Sequence, residues 1–376
     1  MRFSLRHETL VLPLRDPFVI ARSSEGEGRT STTMIVELRI AGEDGLVGIG
    51  EGYPDSYYGE TPETMAVVMP RLLASVDDLP GGPDRWTVDD LARVSAAFDA
   101  SIAHNGAAKC ALDIALHDLT GKAQGLPLHA LLRLTSEIPP TDFTLGLDEP
   151  TVVAERARRA ARFPALKVKV GGPADIETLA AVRSVYDGPI RVDANTGWQP
   201  GQAAHLIPEL VRLGVELIEQ PFPRHRLDQL RWLQERSEIP IVADESAVTI
   251  DDLDGLAGLV AGVNVKLAKC GGVGPARRML ARARELGLRT FLGCMEETSV
   301  AIGASAAVAS LAEWVDLDGS LLIADDPFEG LDLGEDCRWR LTERPGLGLG
   351  RRAIRAGARP SNEAAEEARI GSTASI

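Results

Sequence analysis

The chain has 376 residues, of which 44% are hydrophobic and 25% charged, and its formal net charge is −15. That length supports a large core, arranged as two domains or as one barrel with an appendage. The acidic balance, offset by no basic block, excludes nucleic acid and anionic membranes as partners.

Cys110, Cys270, Cys294 and Cys337 lie far apart and show no paired spacing, so neither a disulfide framework nor a cysteine-rich zinc site is expected. The N-terminus lacks an apolar signal region, and no later run stays apolar long enough to span a bilayer. A soluble, cytoplasmic protein in a reducing compartment is the expectation.

Residues 1 to 55 read as β-rich, with runs at Leu10–Leu14, Thr33–Ile40 and Leu46–Glu51. Between the first two lies Phe18–Arg29, polar and glycine-rich in its second half. It reads either as a loop that closes over a site or as a plain connection. From Pro62 to Leu132 the pattern is helical, and Ala107–Leu119 carries apolar residues at spacings of three and four until Gly121 and Gly125 interrupt it.

After Pro139 the rhythm becomes regular. Apolar runs at Phe143–Leu147, Leu166–Val170, Ile190–Val192, Glu216–Ile218, Ile241–Ala243, Val263–Leu267, Thr290–Leu292 and Trp314–Leu317 alternate with helical stretches. Such a series is what a closed parallel β/α barrel requires. From about Pro327 the rhythm stops, and 357–376 reads as a flexible tail.

Within this series Lys167 and Lys169 share one face of a strand, because extended residues two apart point the same way. Taken alone they read as the wet face of an amphipathic strand. Three successive runs then end in a carboxylate, at Asp193, Glu219 and Asp244. In a parallel barrel these ends converge at one mouth, where three acids repel unless a cation lies between them. Oxygen ligands without Cys or His favour Mg2+, with Mn2+ the alternative.

Lys169 ends the second run and Lys266 the sixth, so the two approach such a metal from opposite sides of the barrel axis. That arrangement suits removal of a proton from one face of a carbon and its return to the other. A proton α to a carboxylate is weakly acidic, and a divalent cation stabilises the enediolate left behind. Lys167 is the expected cationic neighbour that lowers the pKa of Lys169. Lys269 reads as a surface lysine.

The ordered motifs Lys-Val-Lys, Asp-Ala-Asn, Glu-Gln-Pro, Ala-Asp-Glu-Ser and Val-Lys-Leu-Ala-Lys-Cys-Gly-Gly resemble the enolase superfamily, in its muconate-lactonising subgroup. The resemblance runs from about residue 5 to about 350, and it brings that superfamily's established pairing of a lysine base with a metal-stabilised enediolate. It implies an α/β fold, a modified (β/α)7β TIM barrel with an α+β capping domain built from the N-terminal region and a C-terminal return. The expected boundaries are 1–125 for the cap, 126–326 for the barrel, 327–356 for the return and 357–376 for the tail.

Trp314-Val-Asp-Leu-Asp-Gly319 is similar to the Asp-x-Asp motif of the dipeptide epimerases in this family, which implies that Asp316 and Asp318 hold a substrate ammonium. Phe18–Arg22 and Tyr58–Glu60 resemble the branch acting on L-Ala-D/L-Glu, which implies that Arg22 meets a substrate carboxylate and that the protein serves peptidoglycan recycling. Glu25 and Glu27 in the same loop instead favour a cationic second residue. Glu297, in a Gly-x-Met stretch, is expected at the substrate site, orienting a lysine. The expected activity is metal-dependent epimerisation of a dipeptide at the α-carbon of its C-terminal residue. The alternatives are a cycloisomerase, o-succinylbenzoate synthase or N-acylamino acid racemase of the same superfamily, or, more remotely, a non-catalytic metal-binding barrel. Self-association as a homo-oligomer is left open.

Overall fold

A computed structural model describes residues 2–24, 27–42 and 45–352. The expected tail, 357–376, lies outside the described residues, as does Glu25. No described helix is long and apolar enough to cross a membrane.

The N-terminal region forms an antiparallel sheet of β1 (Phe3–Pro13), β2 (Thr30–Ile40) and β3 (Gly48–Gly52), paired in that order. Helices α1 (Pro62–Ala74), α2 (Val88–Ser101), α3 (Gly106–Gln124) and α4 (Leu128–Leu131) follow. The sheet and α3 approach closely because Gly48, Gly50 and Gly52 share one face of β3. A Cβ on any of them would strike the carbonyl of Ala115, Ala111 or Ala107, one turn apart along α3. The central part of α3 is buried all round, so apolar periodicity alone understated its position in the fold.

The barrel strands are β4 (Phe143–Leu145), β5 (Leu166–Lys169), β6 (Ile190–Asp193), β7 (Val215–Glu219), β8 (Ile241–Ala243), β9 (Gly262–Lys266), β10 (Arg289–Gly293) and β11 (Trp314–Val315). They form one eight-stranded parallel sheet in sequence order. Helices α5 (Pro150–Arg159), α6 (Asp175–Arg183), α7 (Pro200–Arg212) and α8 (Leu227–Gln234) cross between the first strands, and α9 (Leu253–Leu256) precedes β9. α10 (Leu267–Cys270) and α11 (Val273–Glu285) precede β10, and α12 (Ser299–Ala306) precedes β11.

The curled sheet closes where Asp142 N donates to the Val315 carbonyl at 3.0 Å. Side chains reinforce this seam, since Leu317 N donates to Thr141 Oγ1 at 2.8 Å. After β11 only a one-turn helix, α13 (Gly319–Leu322), occupies the eighth helical position. The chain then forms the pairs β12 (Phe328–Glu329) with β15 (Gly350–Arg351) and β13 (Asp332–Leu333) with β14 (Trp339–Arg340). It returns to the N-terminal region, where Leu347 N donates to Asp118 Oδ1 of α3 at 2.7 Å.

Candidate active site

All four residues of β5 are buried, so the amphipathic reading of Lys-Val-Lys fails: one face packs outward against the helices, and the lysines point into the barrel. Lys167 is 1% exposed and Lys169 6%. A buried ammonium is tolerated only when carboxylates compensate it, and here they do.

Asp193, Glu219 and Asp244 come from the ends of β6 and β7 and the residue after β8. They are buried, and each offers an oxygen within 4.8 Å of the others. Burial and the neighbouring Asp193 push the Glu219 carboxyl up to about 8. Its Oε2 receives no hydrogen bond, although Lys167 Nζ lies 2.9 Å away, while Oε1 accepts from Asn264 Nδ2 at 2.9 Å. A buried, all-oxygen set with an incompletely bonded donor atom fits a hard divalent cation.

The turns after these strands are shaped to present the acids. Asn195 and Gln220 adopt left-handed backbone, with φ of 40° and 33°, a strained choice for non-glycine residues. In return, Asn195 N donates to Asp193 Oδ1 at 2.9 Å, and the Gln220 side chain accepts from Asp244 N at 2.9 Å.

The three lysines are not equivalent. Lys167 Nζ lies 2.9 Å from Asp316 Oδ2 and 3.2 Å from Asp193 Oδ2, so it joins the acidic triad to the motif after β11. Lys169 Nζ donates to Asp193 Oδ2 at 2.7 Å. Lys266 Nζ lies 3.0 Å from Asp244 Oδ2, on the strand four places around the sheet from Lys169. Burial would lower the Lys266 pKa, but Asp244, Glu219 and Asp193 together outweigh it and raise the group above an ordinary lysine. This is the reverse of a resting base, and the adjacent carboxylates cause it.

Lys269, read from sequence as a surface residue, is buried. Its Nζ donates to Asp244 Oδ1 at 2.5 Å and to the main-chain oxygens of Asp244, Ala247 and Asn264 at 2.6, 2.9 and 3.0 Å. The short α10 turns it back beneath the mouth, a placement that strand periodicity does not contain.

Asp316 and Asp318 face the same cavity but differ. Burial would raise Asp316, yet Lys167 holds it below the usual carboxylate range. Asp318 accepts from the Thr144 N–H at 2.6 Å and lies 3.9 Å from the Cys294 thiol, and burial beside Asp316 pushes it well up although Lys167 acts the other way. Among the described residues Asp318 forms no ion pair within 4 Å, whereas Asp316 pairs with Lys167.

All these lysines but Lys269 line one cavity of about 930 Å3 together with Asp316, Asp318, Asn195 and the loop before β2. That loop lies over the mouth. Ala21 packs where a Cβ on Gly171 or Gly197 would intrude, so glycines after β5 and β6 admit it. Arg22 reaches the cavity but is already engaged, with Nη1 2.5 Å from Glu245 Oε1, Nη2 3.9 Å from Asp55, and its guanidinium over the Tyr57 ring at 4.5 Å. Glu27 lines the cavity and accepts from Ser24 N at 2.7 Å.

Glu297 does not line the cavity as a substrate contact would; its carboxylate is buried near Glu51, which together with burial pushes it up to about 8 although Lys266 acts the other way, and it accepts only from Met295 N at 3.1 Å among the described residues. The neighbouring Glu296 lines the cavity instead, accepting from Tyr53 OH at 3.0 Å. The alternation of directions in this turn, not the composition, decides which glutamate faces in.

Sequence reasoning also passed over Asn264 and Glu245. Asn264 stands two residues before Lys266 and therefore on its face of β9, a signal that was available. Glu245 adjoins Asp244, and only the path of the covering loop reveals Arg22 as its partner.

Residues 6–133 match the family model for the mandelate racemase/muconate lactonizing enzyme N-terminal domain, and residues 152–352 match the enolase C-terminal domain-like model. The chain is 38% identical to the L-Ala-D/L-Glu epimerase of Bacteroides thetaiotaomicron over 90% of its own length and 85% of that protein. It is 37% identical to the L-Lys-D/L-Arg epimerase of Methylococcus capsulatus, over 90% of this chain and 95% of that one. Among solved structures it resembles the dipeptide epimerase of Enterococcus faecalis complexed with Mg and L-Leu-L-Tyr. The TM-score is 0.83 at 31% identity, covering 93% of this chain and all of that one.

Proposed function

Because the chain belongs to the mandelate racemase/muconate lactonizing enzyme family of enolase-like proteins, we propose that it epimerises dipeptides at the α-carbon of the C-terminal residue. The observation that carries this reading is the placement of Lys169 and Lys266 on opposite walls of one cavity, each against a different acid of the triad.

Asp193, Glu219 and Asp244 would hold Mg2+, with Mn2+ the alternative. A divalent cation there would offset the carboxylates around Lys266 and would stabilise the negative charge left when the α-proton departs. Lys169 and Lys266 then act from opposite faces, one taking the proton and the other returning one, which inverts the carbon. Lys167 stays charged among Asp193, Glu219 and Asp316 and orients the substrate carboxylate.

The free α-ammonium of a dipeptide would give Asp318 the close ion pair that it does not form among the described residues, and Asp316 adds to the same field. An acylated or non-amino substrate would leave this buried acid uncompensated. L-Ala-D/L-Glu is the first substrate to test, since Arg22 lines the cavity and its guanidinium could share its charge between Glu245 and an acidic side chain. A cytoplasmic role in recycling peptidoglycan peptides follows from that substrate.

Incubation with Mg2+ and L-Ala-L-Glu in D2O tests the proposal. Deuterium should appear at the Glu α-carbon together with inversion, and no exchange with any dipeptide of a varied panel would overturn it.

A further inference from the structure

Between β4, α5, α13 and the start of the covering loop lies a second cavity, of about 410 Å3. It exists because α13 is a single turn: Leu321 and Leu322 fill only part of the eighth helical position beside α5. Phe18, Thr144 and Leu322 line both this cavity and the catalytic one, so the two share a wall.

The lining is unusual for so acidic a protein. Arg15, Arg156, Arg159 and Arg162 face it against one carboxylate, Asp16. Asp16 is divided between Arg159, at 2.9 Å, and Arg156, at 3.8 Å. Arg156 is buried and pairs with Asp148 at 2.7 Å, but its Nε and Nη1 make no hydrogen bond. Among the described residues Arg15 and Arg162 have no carboxylate partner. Counting Asp148, two guanidinium charges remain in excess.

An aromatic wall adjoins these charges. The rings of Phe143 and Phe163 lie 4.9 Å apart at 33°, and the Arg162 guanidinium sits 5.0 Å over Phe163. Clustered guanidinium groups repel one another unless an anion offsets them, and their planar forks match carboxylate and phosphate oxygens. The volume is that of a small-molecule site.

We propose that this cavity binds a small aromatic anion, an aryl phosphate or aryl carboxylate, whose oxygens are held by Arg15 and Arg162 and whose ring lies against Phe143 and Phe163. The apolar floor selects for the ring, and the unpaired guanidinium groups at the rim select for the charge. The proposal does not depend on the epimerase reading.

Calorimetric titration of the full chain with phenyl phosphate and, separately, with benzoate tests it. At least one should bind saturably, and benzyl alcohol, of similar shape but uncharged, should not. Combining Arg15→Ala with Arg162→Ala, both at exposed positions, should weaken binding roughly tenfold or more, because charge-assisted hydrogen bonds are lost. Far-UV circular dichroism and melting temperature check that the double variant is folded. Phe163→Leu should weaken the aryl anions while leaving inorganic phosphate unaffected. Absence of saturable binding at millimolar concentrations would overturn the assignment. So would equal binding of benzyl alcohol, or affinity unchanged in the double arginine variant, which would place the probe in the catalytic cavity.

Discussion

Lys269 grips Asp244 at two points, donating to its carboxylate Oδ1 at 2.5 Å and to its main-chain oxygen at 2.6 Å. The other carboxylate oxygen, Oδ2, is left facing Lys266 at 3.0 Å and the centre of the acidic triad.

Lys269 is therefore expected to set the direction of one metal-binding oxygen without touching substrate. Lys269→Met removes a buried cation and leaves its partners unpaired, so the fold should lose about 3–5 kcal/mol. Partners of this kind typically govern metal affinity by roughly 10–100-fold, and Mg2+ titration should show a loss of that size. Normal Mg2+ affinity in a folded variant would refute this role.

In the proposed reaction Lys169 and Lys266 would divide the proton transfers between them. Either Lys169→Ala or Lys266→Ala should cut inversion by roughly 10^2–10^4-fold. The surviving lysine should still exchange the α-proton of one stereoisomer with D2O, and the two variants should prefer opposite isomers. If both variants exchange the same isomer, the two-sided arrangement is wrong.

Asp318 is a buried acid whose folded pKa is raised by burial and Asp316. Such an acid favours the folded state fully below its unfolded pKa and loses that advantage as pH rises through the folded one. Asp318→Asn should accordingly raise the melting temperature at neutral pH. Loss of a charge-assisted bond to the ammonium should at the same time raise KM for dipeptides roughly 10–100-fold. An unchanged KM would remove the ammonium from this position.

Arg22 predicts selectivity more than rate. Arg22→Ala should raise KM for dipeptides ending in Glu more than for those ending in Leu, because only the first offers a carboxylate to the guanidinium. A uniform rise would mean that Arg22 serves only to hold the loop through Glu245.

His117 supplies a pH-dependent part of stability far from the chemistry. Burial would lower its pKa, but Asp113, with its Oδ1 3.3 Å from Nδ1, outweighs this and raises it above 6.5. The stabilisation is complete below pH 6.5 and fades as pH rises through the folded value. The melting-temperature gap between the native protein and His117→Gln should thus be wider at pH 6 than at pH 9. A gap of constant width would contradict the assignment.

The barrel was legible because its evidence is local. Each strand announces itself as a short apolar run, and each spacing leaves room for one crossover helix, so the order β4 to β11 follows from rhythm alone. Asp193, Glu219 and Asp244 were legible for the same reason: a parallel sheet gathers all strand ends at one mouth, whatever the details of packing. The identity of the lysine-bearing strands needed only their place in that order.

Contacts between residues distant in sequence carry no such signature. Lys269 lies three residues past Lys266, and only the one-turn α10 decides that it folds inward onto Asp244 instead of reaching water. Glu296 and Glu297 are identical in composition, yet one lines the cavity and the other is buried beside Glu51. Arg22 meets Glu245 across 223 positions because a loop crosses the mouth over Gly171 and Gly197. Sequence by itself determined that the strand-end side chains Lys167, Lys169, Asp193, Glu219, Asp244 and Lys266 converge, since strand order and the two-residue period bring them together. Tertiary structure alone decided which charges are already neutralised, since compensation inside a low-dielectric interior depends on separations of a few ångströms between chain segments that have no local relation.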